Sequence, residues 1–204
     1  MGINFGTMNN SANSTGAIAL DLNKGSLLDL TKREPGLKHI IAGVGWDANN
    51  TVPAFDLDIS AFLLNDNMKI TSANDIVFFN HKSASGVTLS GDNRSGDGEG
   101  DDETIIIDLE SVPSTVHAID FIVNIFEAQT RRQTFGMVSN SYIRLLNHDK
   151  NDNEMCRFRL KDDYGSSTAV VFARLKRDGS EWTFETIGEG KVVKDLNDIA
   201  ALYM

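Results

Sequence analysis

FDLDISAFLL, running from Phe55 to Leu64, is the stretch from which the fold can be read. Successive side chains of an extended chain point to opposite faces, so Phe55, Leu57, Ile59, Ala61 and Leu63 share one face. Asp56 and Asp58 fall on the other. A strand with one fully apolar face needs a second layer to bury it. Similar short runs rich in Val, Ile and Phe recur along the chain, separated by clusters of Gly, Asn, Asp and Ser. They place strands over His39–Val44, Phe55–Leu64, Asp75–Asn80, Thr104–Leu109, Val116–Phe126, Ser141–Leu146, Met155–Leu160, Thr168–Lys176 and Trp182–Ile187. Strands in that number, with no long helix between them, predict an all-β chain folded as a two-sheet antiparallel β-sandwich. Pro35, Pro53 and Pro113 each stand beside a proposed strand and none inside one, as ladder hydrogen bonding requires.

Two segments lack strand alternation and allow short peripheral helices. Glu127–Phe135 is polar. Asp195–Tyr203 puts Leu196, Ile199, Ala200 and Tyr203 on one face, with Asp195 placed to cap it. The polar stretch Met1–Gly16 has neither a basic start nor an apolar run, and reads as a flexible arm and not as a secretory signal. The expected organisation is an arm over 1–20, one domain over 21–190 and a tail over 191–204.

The 204 residues are 41% hydrophobic and 24% charged, ordinary for one soluble globular domain. A single cysteine, Cys156, leaves no internal disulfide and no resolving partner for thiol redox chemistry. It reads as a small strand residue in an intracellular protein. The net charge of −10 makes nucleic acid an unfavourable partner and cations favourable ones.

The acids are gathered. GDNRSGDGEGDDE, Gly91 to Glu103, holds Asp92, Asp97, Glu99, Asp101, Asp102 and Glu103 against Arg94 alone. Like charges this dense repel one another unless something neutralises them. The interleaved glycines permit turns that let carboxylates converge. Calcium fits, because it takes six to eight oxygen ligands in flexible geometry, and the run offers no nitrogen or sulfur donor of the kind zinc or copper prefers. An EF-hand does not fit. Counting from Asp92 puts Arg94 at position 3, and counting from Asp97 puts Asp102 where glycine belongs. Asp56 and Asp58, roughly 7 Å apart on one side of their strand, add a second group of donors. Asp47 and Asn80 supply oxygens at strand ends. A similar-looking run, Asp149 to Glu154, lies between two strands and reads as a polar hairpin turn.

Catalytic signatures are absent. His39, His81, His117 and His148 are scattered, with no metal-binding spacing. There is no nucleophile elbow, no Walker loop and no dinucleotide fingerprint. The carboxylates are too crowded for one glycosidase acid and one nucleophile. An enzyme is therefore not expected.

GVGWDAN, FDLDISAFLL, FFN, SGDNRSGDGEGDDE, EAQTRRQTFG, YIRLLN and EWTFETIGEG follow one another at the spacing of TerD-type proteins. The chain resembles this tellurium-resistance and general stress family of bacteria from about Leu22 to about Gly190. The resemblance implies a β-sandwich with acidic loops at one edge that bind two calcium ions, and no enzymatic activity. It also implies a cytoplasmic location and partners among proteins of the same stress system, at membrane-associated assemblies. The family's metal motifs map onto Asp47, Asp56, Asp58, Asn80, Asp92, Asn93, Asp97, Glu99, Asp101, Asp102 and Glu103. One departure is Arg159, where the family commonly carries an acid. The functional expectation is a calcium-dependent binding or scaffold module. The competing ones are a metal-dependent hydrolase with an open coordination position and calcium-mediated membrane docking. The latter needs basic or apolar loop tips, and only Arg94 is near.

Overall fold

The computed structural model describes residues 18–47, 54–90, 100–160 and 164–204. In chain order the strands and helices begin with β1 (Leu20–Leu22), β2 (Leu27–Asp29), α1 (Leu30–Arg33), β3 (His39–Asp47) and β4 (Leu57–Leu64). They continue with β5 (Ile76–Val77), β6 (Ser83–Ala84), β7 (Val87–Ser90), β8 (Glu103–Asp108), β9 (Ala118–Ile125) and α2 (Ala128–Arg131). The chain closes with β10 (Ser139–Asn147), β11 (Asn153–Arg159), β12 (Ala169–Asp178), β13 (Glu181–Lys191) and α3 (Leu196–Leu202). One sheet has seven strands in the order β1-β11-β10-β3-β8-β7-β6, and the other has six in the order β2-β13-β12-β9-β4-β5. The expected two-sheet sandwich is what forms. Its pairings are antiparallel except for β1, which lies parallel to β11.

The inward side chains of β4 are those the alternation selects. Phe55, Leu57, Ile59, Ala61 and Leu63 join Ile105 and Ile107 of β8 and Phe121 and Val123 of β9 in the main core. Cys156 is fully buried in that core, and burial pushes its thiol up to about 12, which leaves it protonated and inert.

Several expected elements are shorter than the sequence suggests. Over Asp75–Asn80 only Ile76–Val77 is strand. Phe78 and His81 then exchange backbone hydrogen bonds of 3.0 and 2.9 Å, closing a tight turn with Phe79 and Asn80 at its tip. The helix within Glu127–Phe135 is a single turn, ended by Arg132 at φ 54°. Strands β6 and β7 are too brief to announce themselves by alternation.

The C-terminal helix closes the outer face of the six-stranded sheet. Asp195 accepts from the N–H groups of Asn197 and Asp198 at 2.9 and 3.3 Å, the expected cap. Leu196, Ile199, Ala200 and Tyr203 pack on Phe62, Leu64, Ala118 and Ile122, forming a second apolar cluster. A seven-residue helix is too short to persist alone, so packing must hold it. The Tyr203 hydroxyl donates to Asp120 at 2.7 Å, and Arg174 donates to both oxygens of the same carboxylate at 2.5 and 2.8 Å. Burial, and then the Asp120 charge, push the Tyr203 phenol up.

The Asp149–Glu154 run makes the expected turn after β10, its last two residues already opening β11. Asp149 accepts from the backbone N–H of Lys38 and His39 and bonds His39 Nδ1 at 2.6 Å, tying this turn to the start of β3. Partial burial opposes ionisation of Asp149, but these hydrogen bonds outweigh it and hold the carboxyl at about 2. The bond to Asp149 raises the His39 imidazole above its usual value, against a smaller burial effect.

These contacts can be probed by substitution and by titration. Arg174→Ala strands a fully buried carboxylate and lowers stability by about 3 kcal/mol in urea unfolding, whereas Tyr203→Phe removes one hydrogen bond and costs about 1 kcal/mol. By NMR titration His39 ionises above the ordinary value of about 6.5, and Asp149→Asn brings it back. Its stabilising contribution is complete below about pH 6.5 and disappears as pH rises through the raised value; that of Asp149 is complete above about pH 3.9 and fades as pH falls toward 2.

Candidate metal centre

Two acidic segments that are distant in sequence meet at the β4 edge of the six-stranded sheet. Strand β5 pairs only with Ala61 and Phe62, so among the described residues no strand pairs with the beginning of β4 on that side. The N–H of Ile59 points off this edge and donates to Glu103 Oε2 at 2.5 Å. Glu103 opens β8 in the opposite sheet and faces inward with Ile105 and Ile107. It is 2% exposed. The end of the acidic run and the start of FDLD are thus joined through a buried, charge-assisted hydrogen bond.

The neighbouring carboxylates occupy distinct positions. Asp102 accepts from the Trp46 N–H at 3.0 Å, and its own N–H donates to Val44 at 2.8 Å, which stitches this segment to β3. Asp58, 9% exposed, lies on the outer face of β4 and lines a cavity together with Asn80 at the tip of the Phe78–His81 turn. Asp56 lies just before β4, 3.6 Å from Arg131 of α2. Asp47, at the end of β3, accepts from the Asn140 amide.

Asp101 takes a different direction. Its carboxylate lies on the outer face of the seven-stranded sheet, bonded by Arg144 Nε at 2.7 and 3.0 Å and by the Tyr142 hydroxyl at 3.0 Å. Arg144 also reaches Glu154 at 2.9 Å. Glu154 in turn holds Arg157, whose guanidinium lies 4.2 Å over the Tyr142 ring. Gly43 leaves room beneath this cluster: a Cβ there would sit 2.0 Å from Asp101 Oδ2 and would displace the carboxylate from Arg144. Burial, and then the adjacent Asp101 charge, push the Tyr142 phenol up to about 12. Alternation along YIRLLN places Tyr142 and Arg144 on one face, a signal the acidic run overshadows. Arg159 pairs with Asp21 on β1.

Asp92, Asn93, Asp97 and Glu99 lie outside the described residues. Among the described residues no three His, Cys, Asp or Glu side chains converge tightly enough to hold an ion by themselves. Asp56 and Asp58 around the start of β4, Asn80 across the cavity from Asp58, and Glu103 bonded to Ile59 offer oxygen ligands and no imidazole or thiolate. That set suits a hard cation such as calcium and not zinc or copper.

The TerD domain model matches residues 18–203, nearly the full length. The chain belongs to the TerD family. Tellurium resistance protein TerD of Serratia marcescens is 45% identical over 176 residues, which cover 85% of this chain and 91% of that protein. General stress protein 16U of Bacillus subtilis (strain 168) is 41% identical over 177 residues, covering 85% and 91%. The crystal structure of a homologue of telluride resistance protein (TerD) from Streptomyces coelicolor A3(2) has the same fold. It superposes with a TM-score of 0.63 at 22% identity, over 79% of this chain and 95% of that one. The TerD match includes α3, in keeping with the packing of that helix on the sandwich.

Asp101, Arg144 and Gly43 act as one unit. Arg144→Ala and Gly43→Ala are each expected to cost about 2 kcal/mol, and the double variant far less than the sum, because both disturb the same carboxylate. Urea unfolding of the two single variants and the double variant measures this; additive losses would show that the two residues act separately.

Proposed function

We propose that this TerD-family chain is a calcium-binding, non-enzymatic module of a bacterial tellurium-resistance and stress response, acting as a calcium-dependent binding or scaffold protein in the cytoplasm. The observation that supports this most is the hydrogen bond from Ile59 to Glu103. It draws the end of the acidic run to the FDLD strand at one edge. A buried carboxylate bonded to the strand that carries Asp58 and follows Asp56 adds negative charge that a hard divalent cation would neutralise.

In this reading Asp56, Asp58, Asn80 and Glu103 supply oxygens from the framework. Asp92, Asn93, Asp97, Glu99 and Asp102 complete the coordination of two ions. Asp101 anchors the end of the acidic segment through Arg144, and Asp47 borders the site from β3. When bound, calcium supplies charge neutralisation and a fixed loop geometry. The chain's residues position the acidic edge so that other proteins of the stress system can recognise it, at a membrane-associated assembly. Among the described residues no helix is long and apolar enough to cross a membrane. The names of the relatives speak of resistance and stress, not of a reaction.

Calcium titration by calorimetry, with thermal melts in calcium and in chelator, tests this reading. Saturable heat is expected, with stabilisation of about 2.7 kcal/mol at a hundredfold excess over Kd. Asp58→Asn weakens both effects. Absence of heat together with identical melting curves in calcium and chelator would sink the assignment.

A further inference from the structure

The outer face of the six-stranded sheet changes character along β4 and β9. Beneath α3 the outward side chains are apolar: Phe62, Leu64, Ala118 and Ile122. At the other end, beyond the cover of that helix, they become Asp58, Ser60 and Asn124. Asp58 and Asn124 are direct cross-strand partners, so they form one polar floor. Above it lies a cavity of about 540 Å³ between the Phe78–His81 turn, α2 and α3. That volume is in the range of small-molecule sites.

The walls are aromatic. Phe78 and Phe79 meet edge to face at 5.4 Å, and Phe79 and Phe126 do so at 6.3 Å. Phe79 is 36% exposed, leaving aromatic surface open to the cavity mouth. Asn124 is half-buried, and its carboxamide makes no hydrogen bond among the described residues, although such a group carries two donors and an acceptor. Gln129 of α2 and Asn197 of α3 bring two more carboxamides to the rim.

These features select the ligand. Asp58, Glu127 and Asp195 outnumber Lys194 around the cavity, which disfavours an anion. A wholly apolar ligand would cover the Asn124 carboxamide without satisfying it. A ring bearing several hydroxyls donates to a carboxylate, both donates to and accepts from carboxamides, and lays its C–H face on phenyl rings. We propose that this cavity binds a neutral polyhydroxylated ligand of mono- or disaccharide size. The site shares Asp58 and Asn80 with the calcium reading but stands on Asn124, Asn197 and the aromatic wall, and requires no ion.

The test is protein NMR on the full chain, titrated with the methyl glycosides of glucose, galactose, mannose and N-acetylglucosamine, with maltose, and with spermidine as a cationic control. Each titration is run in chelator and again in calcium. Saturable shifts of the Ser60, Asn124 and Asn197 amides with at least one sugar, in chelator, are the expected result. Asn124→Leu weakens that binding about tenfold, the equivalent of one good hydrogen bond, at an unchanged melting temperature. Asn197→Trp, on the exposed side of α3, blocks the rim and abolishes it. The proposal is overturned if no sugar saturates in chelator, if spermidine alone does, or if both variants bind like the parent chain. Sugar binding in chelator alongside a failed calcium titration removes the calcium reading and leaves this one intact.

Discussion

Glu103 sits in the space between two sheets, where a carboxylate can persist only if hydrogen bonds replace the water it has lost. The edge of β4 supplies one. Strand β5 ends before reaching Ile59, and the N–H that would otherwise lack a partner donates to Glu103. Each group answers the other's need: a strand edge is capped, and a buried charge is solvated by the backbone. The contact also fixes where β8 begins relative to β4, and so sets the acidic run against FDLD. The geometry of the whole acidic edge depends on this placement.

The outer faces of the sandwich are finished in two different ways. On the seven-stranded sheet, Asp101, Arg144, Glu154 and Arg157 form an alternating chain of charges laid across neighbouring strands and over Tyr142. Gly43 leaves room for Asp101 to join it. On the six-stranded sheet the finish is apolar, with α3 lying over Phe62 and Ile122 and held down by Tyr203 on the buried Asp120, which Arg174 also holds. Because α3 covers only part of that face, the polar remainder around Asn124 becomes a cavity instead of core.

Much of the fold was legible in the sequence, because alternation and packing report the same thing. FDLDISAFLL names its own inward residues, and the helical spacing of Leu196, Ile199, Ala200 and Tyr203 marks the face that α3 buries. The site was legible only by composition. Six acids in one run carry the same charge and the same chemistry, so their order says little about where each one goes. In space Asp101 and Glu103, two residues apart, go to opposite sides of one sheet, Asp101 to an arginine outside and Glu103 into the interior. Asp56 and Asp58 read as one pair of donors on the same side of their strand, yet Asp58 is largely buried at the cavity floor while Asp56 faces Arg131.

The amino-acid sequence by itself determined the strands long enough to alternate, the sandwich they demand, the oxygen-only character of the acidic run and the resemblance to the TerD family. These are properties of local order and composition, which the chain carries wherever it folds. Tertiary structure alone decided the partners. Which carboxylate meets an arginine, which meets a backbone N–H and which lines a cavity depends on strand register and on where β5 and α3 stop. Those are long-range contacts, set when two sheets close on one another, and no short window of residues records them.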